Sequence, residues 1–214
     1  FIQSEEVETR PSPGALSTIR RLVSRRSLRA LYLSAFLSRL TQHGLYGFLP
    51  LHLQDLGVPD WAVPWYWAVG VLSEILLIRN TRHLFSGGDA RRSTRSILTV
   101  CFGLAVVQFG LMSVVTSPLV LLAVMALHGA TFGVWYVASM EHLGTHVEEA
   151  DRGMSQALFQ ITAFGLGGTL SAVTAGYLFQ AGAGPMMFGV ASGACLVVVV
   201  IAWAAFGSAA EPAE

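Results

Sequence analysis

The run Trp61 to Arg82, WAVPWYWAVGVLSEILLIRNTR, is long and apolar enough to cross a bilayer, yet it holds a carboxylate, Glu74, and closes on Arg79 and Arg82. Ionised groups are expensive in hydrocarbon, so a Glu in such a run calls for a partner or a function. Any fold open to this chain has to solve that problem.

Further apolar runs accompany it. A spanning helix needs about 20 residues at 1.5 Å of rise each. Candidate runs of that order cover residues 31–51, 61–78, 97–115, 118–140, 154–179 and 185–206. Only 12% of residues are charged, about half the share in a soluble domain, so the chain reads as a polytopic membrane protein embedded in a lipid bilayer. The formal net charge is +0, which gives no basis for nucleic-acid binding. Cys101 and Cys195 both fall inside apolar runs, a placement that supports neither a disulfide nor a metal framework. No cofactor is implied.

Loop charges set an orientation. Arg29 and the arginines at 10, 20, 21, 25 and 26 precede the first span, and Arg79, Arg82, Arg91, Arg92 and Arg95 follow the second. The loop at 55–60 holds Asp55 and Asp60 without Arg, and the 141–153 loop holds Arg152. Every loop arginine therefore falls on one side, which the positive-inside rule makes cytoplasmic. Both chain ends are then cytoplasmic. Residues 1–27 read as a basic, water-facing linker whose last part forms a short surface helix, 28–206 as the membrane bundle and 207–214 as a tail. The chain opens on Phe1 rather than Met, as an internal piece of a longer protein would.

Small residues mark expected helix crossings, because they let backbones approach closely. Gly129 and Gly133 form one such pair, Gly189 and Gly193 another, and Gly168, Ala172 and Gly176 a ladder. Pro50 is placed to kink the first span. A His-Gly pair recurs at His43-Gly44 and His128-Gly129, the positions a three-plus-three repeat would match; such repeats are a transporter signature.

Polar groups inside the spans form the candidate site. On the first, Arg39, His43, Tyr46 and Pro50 share a helical face, flanked by Gln42. On the second, Trp67, Gly70 and Glu74 do so; on the fourth, His128, Thr131, Phe132 and Trp135. Helical rise puts Arg39 ~12 Å and Glu74 ~6–9 Å from the same membrane face, a match of depth that suggests an ion pair. Gln108 lies near the middle of the third span. Plainer readings stay open. Arg39 snorkels, Glu74 serves a structural pair, His128 is a neutral group bonded to a neighbouring helix, Gln108 is packing glue, and His52 is interfacial. Trp61, Trp65 and Trp67 suit the membrane interface. Glu141, His142 and His146 have a metal-compatible spacing, but the acids around them favour a solvated loop. The spans hold no nucleophile elbow or catalytic carboxylate pair, so an enzyme is not expected.

The stretches HGLYGFLPLHLQDLG with WYWAVGVLSEILL, TSPLVLLAVMALHGATFGVWYVASM, and RGMSQALFQITAFGLGGTLSAVTAGYLF together resemble the C-terminal six-helix half of a major facilitator superfamily transporter. The branch is that of lactose permease, the nucleoside–proton symporters and, nearest, the phenylpropionate-permease-like proteins. The resemblance runs from about residue 35 to 203. It implies an all-α membrane protein of six transmembrane helices in a three-plus-three repeat, half of a twelve-helix major facilitator fold, in a bacterial inner membrane. It also implies a missing N-terminal six-helix half as partner, and a degenerate family loop motif at Gly87 to Arg92. Relatives commonly carry an Arg-aromatic pair where Gln108-Phe109 stands, and lactose permease has a Glu where Thr131 stands. The missing cation is expected to have moved to Arg39, to neutralise Glu74.

The expected function is proton-coupled secondary transport of a small-molecule substrate (a sugar, nucleoside or aromatic acid) by alternating access. The alternative is a non-transporting six-helix module, acting as an interaction or sensor protein. The residues expected to meet substrate or protons are Arg39, Gln42, His43, Tyr46, Trp67, Glu74, Gln108, His128, Thr131 and Trp135.

Overall fold

The computed structural model describes residues 14–85 and 90–207. Among these the regular structure is all helical, with no strand. Residues 1–13, the Gly87 to Asp89 part of the expected loop motif and the tail from 208 lie outside the described residues.

We number the helices in chain order: α1 (Ala15–Ser24), α2 (Arg26–Asp55), α3 (Val63–Phe85), α4 (Ala90–Val114), α5 (Pro118–His146), α6 (residues 152–181) and α7 (residues 184–207). The last two are separated at Gly182 and Ala183, whose backbone leaves the helical region; Ala183 has φ 53°. Among the described residues, four stretches are long and apolar enough to cross a membrane: Asp60–Asn80, Ser96–Val114, Pro118–His146 and Glu149–Ala204, the last including the break at 182–183. Helix α2 is not among them although it is 30 residues long. Its polar residues dilute its hydropathy, and it is nonetheless well enclosed, with Ser34, Ser38, Arg39, Gln42 and His52 all buried. Pro50 lies inside α2, which continues to Asp55. Burying polar groups in an apolar bundle demands hydrogen-bond partners, and those partners bring the elements of the site together.

Two clusters of buried apolar side chains hold the bundle. One gathers Leu28, Leu31, Phe102, Trp135 and Phe159, and the other Leu45, Leu49, Phe109, Met125 and Phe188. At the first, α1 lies across the end of the bundle. It buries Leu22 and pairs Arg21 with Asp151 at 2.5 Å, and Arg25, between α1 and α2, donates from Nη1 to the His146 carbonyl at 2.9 Å. The expected surface helix thus ties the start of α2 to the α5–α6 connection. That connection is shorter than expected, because α5 runs on to His146. His142 and His146 stack on this last turn, ring centroids 4.0 Å apart.

Not every small-residue pair is a crossing. A Cβ on Gly129 would stand 2.5 Å from the Ser73 carbonyl carbon, and one on Gly133 2.6 Å from Glu74 Cγ, so α5 and α3 touch backbone to backbone. On α2, a Cβ at Gly44 would stand 2.7 Å from Ala175 Cβ, the crossing with α6. On α6 the tight residue is Gly167, which a Cβ would bring to 2.8 Å from the Phe36 carbonyl. Gly193 has open space, and Gly189 makes only ordinary contact with Ser113. Helix α7 instead packs through Phe188, Ala191, Cys195, Val198 and Ala202, and turns Leu196, Val197, Val200 and Trp203 outward.

His52, expected at an interface, is 2% exposed and packs edge-on against Phe188. Of the tryptophans, Trp61 and Trp65 are exposed as an interfacial belt requires, whereas Trp67 turns into the bundle.

Gly129→Ala should lower the thermal stability of the detergent-solubilised protein by about 1–3 kcal/mol, the scale of overpacking, while Gly193→Ala should leave it unchanged. Equal melting temperatures for the two variants would contradict the crossing.

Candidate functional site

Arg39 is the centre of the site. It projects from the middle of α2 and is 0% exposed. Its Nη2 donates to Gln42 Oε1 at 2.5 Å. Three rings surround the guanidinium: Phe132 and Trp135 of α5, with centroids 4.7 Å from Cζ, and Phe164 of α6, at 5.1 Å. A desolvated cation gains up to about 2 kcal/mol from such a face. The expected ion pair with Glu74 is not made: among the described residues, no carboxylate oxygen lies within 4.0 Å of Arg39. Glu74 is half-buried on α3, with its side chain against Gly133 of α5. A ring cage, rather than a carboxylate, houses the charge.

Two stretches of π-helix build that cage. Residues Gly129–Val134 of α5 and Ile161–Gly167 of α6 are wound one residue wider than an α-helix. Such segments often occur at functional sites. The first carries Phe132 and the second Phe164. The widened turn of α5 also offers the Thr131 carbonyl to Gln42 Nε2 at 3.2 Å. Gln42 therefore bridges Arg39 to α5, and it reaches Ser38 Oγ as well at 3.2 Å. The Thr131 hydroxyl donates to Gln108 Oε1 at 2.8 Å, so fully buried Gln108 of α4 joins the same network from behind. Gly129 N–H, in the same segment, donates to Ser73 Oγ of α3 at 3.1 Å.

Beside the cage lies an aromatic stack. Tyr46 and Trp67 are nearly parallel, with centroids 5.2 Å apart and planes inclined by 10°. The Tyr46 hydroxyl meets His128 Nε2 at 3.1 Å. His128 in turn stacks on Phe132 at 5.5 Å and packs its ring against Gly70. Tyr46 is 37% exposed, while His128 is 4% exposed, so the stack has an open side and a buried side. His43 flanks it, 5.6 Å from Tyr46 and against Gly168 of α6.

The structure thus brings Arg39, Gln42, His43, Tyr46, Trp67, His128, Thr131, Trp135 and Gln108 into one connected cluster. Glu74 sits at its margin. His128 has the interhelical bond of its plainer reading, and Gln108 the bridging contact of its own. Phe164 and Ser73 belong to the cluster without having been singled out in the sequence. Nothing in the pattern of α6 marks Phe164, whereas Ser73 could have been found as the neighbour of Glu74 facing Gly129. An apolar cavity of about 410 Å³ lies elsewhere, between α2, α6 and α7, bounded by Leu45, Ala175, Met187 and Phe188. It shares no residue with the cluster. Among the described residues, no group of three His, Cys, Asp or Glu side chains is arranged to hold a metal ion.

A buried cation and a bonded histidine inside an apolar bundle are features of solute-handling membrane proteins. Comparison with known proteins agrees with that. Residues 3–190 match the MFS_1 like family. The chain belongs to that major facilitator family. It is also similar to the probable 3-phenylpropionic acid transporter of Escherichia coli (strain K12), with 30% identity over 135 residues. The match covers 63% of this chain and 34% of the relative, so the matched stretch spans about a third of that protein's length. Membership and the apolar helices together make this an integral membrane protein. In a major facilitator half, the polar cluster on α2, α3 and α5 is the natural place to look for chemistry.

Gln42→Leu removes an acceptor from a buried cation and a donor from the Thr131 carbonyl. It should cost about 1.5–3 kcal/mol, the range for hydrogen bonds to charged groups, read as a lowered denaturation midpoint in detergent. A variant as stable as the parent would show that the Gln42 bridge carries no weight.

Proposed function

We propose that this chain forms one half of a secondary transporter that moves a small organic solute by alternating access. The observation that carries the reading is the stack of Tyr46, Trp67 and His128 beside caged Arg39, polar and aromatic groups gathered deep in an otherwise apolar bundle. Solute sites in such carriers lie near the bilayer midplane. The exposed edge of Tyr46 gives the cluster a side from which a solute can approach.

We take the bundle to have six spanning helices in a three-plus-three repeat, α2 to α7. The reciprocal crossings support this. Gly44 of the first helix meets the fifth, and Gly129 of the fourth meets the second. We place the α1 end in the cytoplasm of a bacterial inner membrane, on the arginine bias of the loops. The solute we favour is an aromatic acid. The Escherichia coli relative is named for 3-phenylpropionic acid, and here a cation stands among flat rings. Proton coupling is assigned to His43, in the cluster, and Glu74, at its margin.

The test is uptake of labelled 3-phenylpropionate by proteoliposomes of the intact protein under an imposed pH gradient. Glu74→Gln should reduce gradient-driven uptake about tenfold, the effect of losing roughly 1.4 kcal/mol of coupling, while solute exchange without a gradient persists. Undiminished gradient-driven uptake would remove Glu74 from coupling. Absence of uptake for aromatic acids and for a panel of neutral sugars and nucleosides would remove the transport reading.

A further inference from the structure

Several polar atoms of the cluster are buried without a hydrogen-bond partner, among them His43 Nδ1, Gln108 Nε2 and Trp135 Nε1, and Arg39 is the cation of the group. Its Nη2 has a neutral partner in Gln42, but its Nε is buried with no hydrogen-bond acceptor. Among the described residues, no carboxylate oxygen stands within 4.0 Å of it. A cation taken out of water without a counter-charge is among the least favourable arrangements a fold can hold. The rings compensate the charge through their faces, but they offer no lone pair in the plane of the guanidinium, where its N–H groups point. What would complete Arg39 is a planar acceptor carrying negative charge, and the carboxylate is the group whose two oxygens match the guanidinium fork.

The rings over Arg39 are not equivalent. Trp135 is fully buried and packs on Phe159. Phe132 and Phe164 are only half-buried and meet each other edge to face at 6.5 Å. They come from two different helices, and each rides on a π-helical segment. Trp135 is thus the fully buried wall of the cage; Phe132 and Phe164, the half-buried pair on the π-helical segments, form what we call its roof. Tyr46 lies 6.5 Å from Phe132 and stacks on Trp67, so a flat apolar surface adjoins the roof.

We propose that Arg39 is the receptor for the carboxylate of an organic anion whose apolar body lies along Tyr46 and Trp67, and that Phe132 and Phe164 part to admit it. The proposal deepens the transport reading and rests on it, because it names the atom group that selects the solute.

The test uses the intact protein in lipid nanodiscs, with binding followed calorimetrically and by quenching of tryptophan fluorescence. The ligands are 3-phenylpropionate and its neutral amide, 3-phenylpropanamide. The carboxylate should bind at least about tenfold more tightly than the amide, the difference a retained charge-assisted pair makes. Arg39→Gln should bring the two affinities together, and Arg39→Lys should keep part of the preference. Phe164→Leu, which opens the roof and leaves the cation in place, should tighten carboxylate binding several-fold and so widen the preference for the carboxylate over the amide. Equal affinity of the parent for both ligands would overturn the proposal without any variant having to fold. So would a preference that survives Arg39→Gln, or the failure of both ligands to bind. Weaker or unaltered carboxylate binding by Phe164→Leu would overturn the roof. Uptake of neutral solutes by the same preparation would keep the transport reading standing while the carboxylate receptor falls.

Discussion

Housing one guanidinium inside an apolar bundle is the constraint around which this protein is arranged. Arg39 is fully buried, and among the described residues no carboxylate oxygen lies within 4.0 Å of it. The fold answers with three ring faces and one amide. Each answer imposes a demand of its own. The rings must come from α5 and α6 at the same depth, so both helices have to cross α2 closely there, and Gly167 is the residue that permits it for α6. The amide must be held in turn, so the α5 backbone widens to present the Thr131 carbonyl. That widening also turns Thr131 toward Gln108, which draws α4 into the same network. One charge thus links α2, α4, α5 and α6.

Second to this is the close seam between α3 and α5. Glycines at 129 and 133 let the two backbones meet, and Ser73 and Glu74 fill the space that side chains would otherwise take. The seam leaves Glu74 beside the cluster instead of inside it. It also turns Trp67 toward Tyr46. Helix α3 otherwise presents Val71, Leu72, Ile75 and Leu76 outward, which suits a helix surrounded by hydrocarbon or another membrane segment.

How far the sequence foretold this depends on the range of the interaction. Apolar runs and the charges between them are local, and they place the helices well. The short break at Gly182 and Ala183 falls where a turn was expected. The polar residues of the first span are legible too, since an Arg, a Gln and a His cannot be accidental in such a run. What they touch is not legible. Equal depth made an Arg39–Glu74 pair the simplest solution, but the choice between a carboxylate and a ring cage turns on which faces α5 and α6 present. Those faces are set by the two π-helical segments, and the sequences GATFGV and ITAFGLG carry no signal that says where an extra residue per turn is taken up. The same blindness put His52 at an interface when it packs on Phe188. Gly193 shows the converse: the spacing was right, but no neighbouring helix lies against it.

The π-helical segments have a geometric consequence for the helices that contain them. A π turn uses more residues for one circuit of the axis than an α turn does. Everything beyond Val134 in α5, and beyond Gly167 in α6, is therefore out of phase with the residues before it. Helix α5 can aim Gly129 and Gly133 at α3 and still deliver Trp135 beneath Arg39, two directions that one regular helical phase would tie together. The surplus residue acts as a phase shifter, freeing the packing of one end of a helix from the chemistry of the other.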